Sequence, residues 1–203
     1  VNELAQHHRP NFEGYKNEPL RGNFFNWQFA PAFTLHHPEH DLESLPHFTF
    51  DDQEVFLKGW HIHAPSEHLI DGRRSRAEIH MVHVTEEDEE AAVIGIRIGV
   101  APPEAPTESA FIKQLGPMIH YNDTSQIEGL QVNVRLAIEE VGGLEEFWTY
   151  KGSLTTPPCS EGLRWFVPRQ ELFVSEAQMV EILAASRFSH RITQEVWLHD
   201  INL

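Results

Sequence analysis

A chain of 203 residues with 40% hydrophobic content is long enough to bury a core and needs no more than one domain, residues 1–203. Lys plus Arg total 15 against 31 Asp plus Glu, and the formal charge of −16 argues against nucleic acid or an anionic membrane as a partner. One cysteine, Cys159, excludes an intrachain disulfide and a thiolate-rich metal cluster, so a metal here must be held by His or carboxylate.

Taken from the amino end, the chain opens on Val1 and polar residues, without a signal peptide, which reads as a processed or truncated product. The first sixty residues scatter Pro, Asn and His among aromatics with no sustained period, so irregular structure is expected there. Strands are expected at residues 48–50, 55–60, 77–84, 91–100 and 163–167, where apolar side chains alternate or run continuously. An acidic run at 86–90 reads as a solvated turn, and Pro and Gly mark connections at 101–103 and 142–143. Short helices are expected at 108–115 and 133–141, and Ser175-Glu176-Ala177-Gln178 resembles a capping box opening a helix to about residue 185. The triplet Asn122-Asp123-Thr124 is a glycosylation sequon compatible with secretion.

Histidine is frequent, 14 of 203, so one His-x-His pair is expected by chance. The setting of His61-Ile62-His63 is more informative: residues two apart on a strand share a face, so these rings project together while Trp60 and Ile62 face the other way. Asp71-Gly72 is a two-residue hairpin signal, and a turn centred there pairs residues whose numbers sum to 143. That register puts His63 opposite His80, while Pro65 argues for a bulge on the way. Three neutral imidazoles with an open fourth position make a catalytic zinc site, and Glu78, two residues before His80, is placed to accept its second ring N–H. The alternative is that these are ordinary polar strand residues. His7, His8, His36, His37, His40 and His47 lie in polar segments and are expected to be exposed, whereas His68 and His83 read as satisfied structural histidines.

Three blocks together, Gly59-Trp60-His61-Ile62-His63-Ala64-Pro65-Ser66-Glu67-His68, Ala77-Glu78-Ile79-His80-Met81-Val82-His83 and Trp148-Thr149-Tyr150-Lys151-Gly152-Ser153-Leu154-Thr155-Thr156-Pro157-Pro158-Cys159, resemble the motifs of α-class carbonic anhydrases. The resemblance implies a mainly β fold, a twisted and predominantly antiparallel central sheet with short peripheral helices. It implies zinc on His61, His63 and His80 with Glu78 behind the last, and a zinc-bound hydroxide that attacks carbon dioxide to give bicarbonate and a proton. Thr155 would accept the hydroxide proton and donate its own to Glu67, and Val82, Val93, Leu154, Thr156, Leu163 and Trp165 would line the substrate pocket. It further suggests a secreted, microbial-type protein.

Four departures accompany it. Gly59 stands where many members have a Gln bonded to the first zinc histidine. Ser189 replaces an Asn near the chain end, where the backbone carbonyl makes the contact to the second histidine. Pro31 aligns with the proton-shuttle histidine, leaving His36 or His37 as substitutes. The customary amino-terminal segment is absent, so Cys159 is either a buried free thiol or the link of an intermolecular disulfide in a homodimer. A carbonic-anhydrase-like binding protein is the main rival reading; a zinc peptidase is weaker, because there is no His-Glu-x-x-His helix.

Overall fold

The structure, a computed structural model, describes residues 8–36, 42–105 and 107–194. In chain order the strands are β1 (Leu20–Asn26), β2 (Pro31–Leu35), β3 (His47–Phe50), β4 (Gln53–His63), β5 (Leu69–Ile70), β6 (Arg73–Arg74), β7 (Ala77–Val84), β8 (Glu90–Val100), β9 (Gln126–Val132), β10 (Phe147–Ser153), β11 (Glu161–Pro168) and β12 (Leu172–Val174). Ten of them form one sheet in the order β10-β11-β8-β7-β4-β2-β1-β9, with β3 beside β4 and β12 beside β8. Among the described residues the parallel pairings are those of β8 with β11 and with β12. The helices are short: α1 (Ala110–Lys113), α2 (Arg135–Glu139) and α3 (Glu176–Ala185). At the start of α3 the Ser175 hydroxyl accepts the Gln178 backbone N–H at 3.2 Å and the Gln178 side-chain Oε1 accepts the Ser175 backbone N–H at 3.1 Å, the expected capping box.

The expectation of irregular structure before residue 60 is corrected by β1 and β2, the second of which pairs directly with β4. The inward positions of β1 are Gly22, Phe24 and Asn26, so only one of its three buried residues is apolar and no hydrophobic period appears. β2 opens on Pro31, tolerated as a first strand residue because its missing N–H is not yet needed. β9 also went unpredicted, since it is mostly exposed and carries Gln126, Glu128 and Gln131. His8 and His47 are half-buried rather than exposed, bonded to Asp51 at 2.5 Å and to the Leu45 carbonyl at 3.0 Å. The expectations for His7, His37 and His40 lie outside the described residues.

Register needs a second correction. Leu69 pairs with Arg74 and Ile70 with Arg73, which fits a sum of 143 around the Asp71-Gly72 turn. Between β4 and β7, however, His61 faces His80 and His63 faces Glu78, a sum of 141. The segment containing Pro65, which cannot donate to a ladder, separates the two registers. A shift of two preserves which face each side chain occupies; a shift of one would have turned the histidines over.

On one face of this ladder Trp60, Ile62, Ile79 and Met81 join the main hydrophobic core. Trp60 stacks on Phe33 at 5.4 Å, nearly parallel, and meets Phe111 edge-on at 5.5 Å. The other face carries the histidines.

Candidate metal centre

His61, His63 and His80 are 5%, 0% and 2% exposed, and their ring centroids lie 4.7, 5.4 and 4.5 Å apart. One nitrogen from each falls within 4.8 Å of the other two. Their neighbours fix which nitrogen faces the gap. His63 Nδ1 lies 2.7 Å from the Ser189 carbonyl oxygen, an acceptor only, so Nδ1 carries the hydrogen and Nε2 keeps its lone pair. His80 Nε2 donates to Glu78 Oε1 at 2.9 Å, which leaves Nδ1 as its free lone pair. Nε2 of His61 and of His63 is buried and has no hydrogen-bond partner among the described residues.

Burial, then the neighbouring His63 and His80, hold the His61 pKa well below the usual imidazole range. Burial and His80 bring His63 down to about 4. Neutral rings with unengaged nitrogens are what a zinc ion requires, with bonds of about 2.0–2.1 Å, and no fourth protein donor joins this group among the described residues. The residues therefore fit a zinc site with an open position.

The carboxylate behind His80 belongs to a buried network. Glu78 Oε2 accepts from the Ser66 hydroxyl at 2.6 Å and from the backbone N–H of Glu67 and His68 at 3.1 and 3.0 Å. Its Oε1 also accepts from His68 Nδ1, whose Nε2 meets the Tyr150 hydroxyl at 2.7 Å. Burial opposes the charge on both partners, yet their mutual attraction prevails: Glu78 is held well below the carboxylate range and His68 is raised. His68, Glu78 and His80 also cluster within metal-ligand distance, but their facing atoms are spent on one another. Ser66 and Tyr150 are the members sequence reasoning missed; His-Ala-Pro-Ser-Glu-His already contained the first.

His83 lies on the opposite face, bonded to the Tyr15 hydroxyl at 2.6 Å and the Met81 carbonyl at 3.0 Å. Complete burial lowers its pKa to about 3.

Glu67 and Thr155 line a common cavity of about 220 Å³ with Tyr150, Trp148 and Arg191. No hydrogen bond joins the two residues among the described ones: Glu67 Oε1 accepts the Arg191 N–H, and Oε2 is buried without a partner. Val93, Leu163 and Trp165 form a small apolar cluster apart from the main core, with Leu154 packed against it. Trp165 brings this cluster to the metal face, its ring 4.8 Å from that of His80. Val82, half-buried, pairs with Val93 across β7 and β8, whereas Thr156 sits in the turn that its carbonyl closes on the Cys159 N–H.

The departures also acquire physical reasons. A Cβ on Gly59 would lie 2.4 Å from the Phe33 carbonyl oxygen, so the close approach of β2 leaves no room for the Gln side chain. His61 instead rests against the Trp27 ring at 4.8 Å. His36 is tied to Asn23 at 2.7 Å and lies four residues past Ala32, the partner of His61, or about 13 Å along an extended chain. His37 lies outside the described residues.

The sequence of residues 4–200 matches the family model described as eukaryotic-type carbonic anhydrase. The chain belongs to this family. Alpha carbonic anhydrase 3 of Arabidopsis thaliana is 35% identical over 139 residues, which is 68% of this chain and 47% of that protein. The carbonic anhydrase of Klebsiella pneumoniae is 30% identical over 142 residues, 70% of this chain and 52% of its own length. The chain thus spans about half the length of these curated relatives. In fold it is similar to the α-carbonic anhydrase of Photobacterium profundum, with a TM-score of 0.74 at 24% identity, over 95% of this chain and 80% of that one.

Proposed function

We propose that this carbonic anhydrase family member catalyses the zinc-dependent, reversible hydration of carbon dioxide to bicarbonate and a proton. The observation that carries the reading is the buried triad of His61, His63 and His80, whose open nitrogens converge beside an apolar cluster. Zinc bound there supplies Lewis acidity and brings the pKa of water to about 7, which provides a nucleophile at neutral pH. His63 and His80 are held in the ligating tautomer by the Ser189 carbonyl and by Glu78. Val93, Leu154, Leu163 and Trp165, packed together, and Val82 paired with Val93 offer carbon dioxide a wall without competing hydrogen bonds. Glu67 Oε2, buried and unpartnered, would be the acceptor for the Thr155 hydroxyl proton. The Thr155 oxygen would accept a hydrogen bond from the attacking hydroxide and so aim its lone pair at carbon.

Stopped-flow carbon dioxide hydration by the zinc-loaded protein tests this, with His80→Ala as control. Zinc-dependent turnover lost in the control supports the reading; stoichiometric zinc without turnover overturns it. The open Thr155–Glu67 contact favours one second reading, a binding protein of the same fold. The solved dioscorin complexed with ascorbate has that fold, with a TM-score of 0.74 at 21% identity over 96% of this chain and 76% of its own. Zinc without turnover is the outcome that reading predicts.

A further inference from the structure

A second cleft, of about 650 Å³, lies between the β5–β6 hairpin, the start of β7 and the end of β8, and contains none of the three histidines. Four of the chain's 15 basic side chains line it: Arg73, Arg74, Arg76 and Arg97. In a protein of formal charge −16, such a concentration of one sign stands out against the whole.

The fold neutralises it only in part. Arg97 is 7% exposed and pairs with Glu171 at 3.2 Å, while its Nη2 donates to the carbonyls of Pro168 and Arg169 at 3.3 and 2.6 Å. Its Nε is buried with no acceptor among the described residues. Arg74 donates to neutral groups, the Ser66 carbonyl and the Thr193 hydroxyl. Arg73 and Arg76 are exposed and form no ion pair among the described residues. Against the four guanidinium groups the cleft sets two carboxylates, Asp71 and Glu171, which leaves two positive charges. Gly99 adds space: a Cβ there would fall 2.3 Å from Glu171 Oε2, so its absence lets Glu171 stay against Arg97 without closing the cleft.

We propose that this cleft binds a small phosphate-type dianion, free or carried on a phosphomonoester. Guanidinium forks match the paired oxygens of such a group, and a dianion cancels the residual charge. The volume leaves room for a substituent on the phosphate. The acidity of the molecule as a whole selects a small ligand, because an extended polyanion would meet repulsion beyond the cleft.

Isothermal titration calorimetry of the zinc-loaded full chain at low ionic strength, with inorganic phosphate and with glycerol 3-phosphate, tests the proposal. One saturable equivalent is expected, weakened by added salt, with the phosphomonoester at least as tight as phosphate. R73Q/R76Q, which alters two exposed side chains, is expected to weaken binding by about tenfold or more at unchanged thermal stability and zinc content. Because anions also meet metal centres, the same titration on His80→Ala must retain the binding. Absence of saturable binding, equal affinity in R73Q/R76Q, or loss of binding in His80→Ala would each overturn the proposal. Phosphate binding more than about tenfold tighter than glycerol 3-phosphate would overturn the phosphomonoester and assign the cleft to the free ion.

Discussion

The two faces of the β4–β7 ladder are built from alternate residues of the same strands and are equally buried, yet they solve different problems. On one, Trp60, Ile62, Ile79 and Met81 complete the main core and find their partners in packing. On the other, His61, His63, Glu78 and His80 are just as inaccessible, but ring nitrogens there remain without partners among the described residues. Burial without satisfaction is costly, so the second face marks where the fold expects something from outside.

Single changes on each face test that division. His80→Ala should reduce bound zinc from one equivalent to none and remove turnover, measured by metal analysis and stopped-flow hydration, with a smaller loss of stability in the metal-free protein than a deletion in the main core causes. Trp60→Ala should do the reverse, lowering stability by about 3–5 kcal/mol in urea denaturation while zinc stoichiometry persists wherever the chain remains folded. Equal damage to both properties by either change would erase the distinction between the faces.

Smaller effects refine it. Glu78→Gln, which weakens the support behind His80 without removing a ligand, should lower zinc affinity by about 10 to 100-fold in a chelator competition. Gly59→Gln restores the residue many family members carry, yet should lose about 1–3 kcal/mol and gain no zinc affinity, because its Cβ meets the Phe33 carbonyl.

The smallest concerns pH. His83 binds its proton near the usual imidazole value when unfolded but only at about 3 when folded, because burial disfavours its charge. Its contribution to stability is therefore complete above about pH 6.5 and is lost as pH falls toward 3. His61 and His63 act in the same direction without metal, whereas the raised His68 acts in the opposite one. Between pH 7 and 5 the parent should lose about 2 kcal/mol more than His83→Gln, read from paired denaturation curves.

The sequence made the metal face legible because its signal is local: His61, Ile62 and His63 divide between faces by strand alternation alone, and a two-residue error in register leaves that division intact. The segments 48–50, 77–84 and 91–100 fell within one residue of β3, β7 and β8 because their strands have clear apolar runs. β1 escaped because Gly22 and Asn26 occupy buried positions, and β9 because an edge strand rich in Gln and Glu carries no apolar period. Tyr150 reaches His68 across 82 residues through folding that no local pattern encodes, whereas Ser66 lies within the His63-to-His68 motif and only its bond to Glu78 comes from the fold.

X-ray absorption at the zinc edge of the metal-loaded protein tests most directly whether this face is a metal site. The account predicts one equivalent of zinc with three imidazole nitrogens at about 2.0–2.1 Å and one oxygen donor from solvent, reduced to no ordered site in His80→Ala. Zinc bound without imidazole scattering, or an unchanged spectrum in the variant, would contradict it.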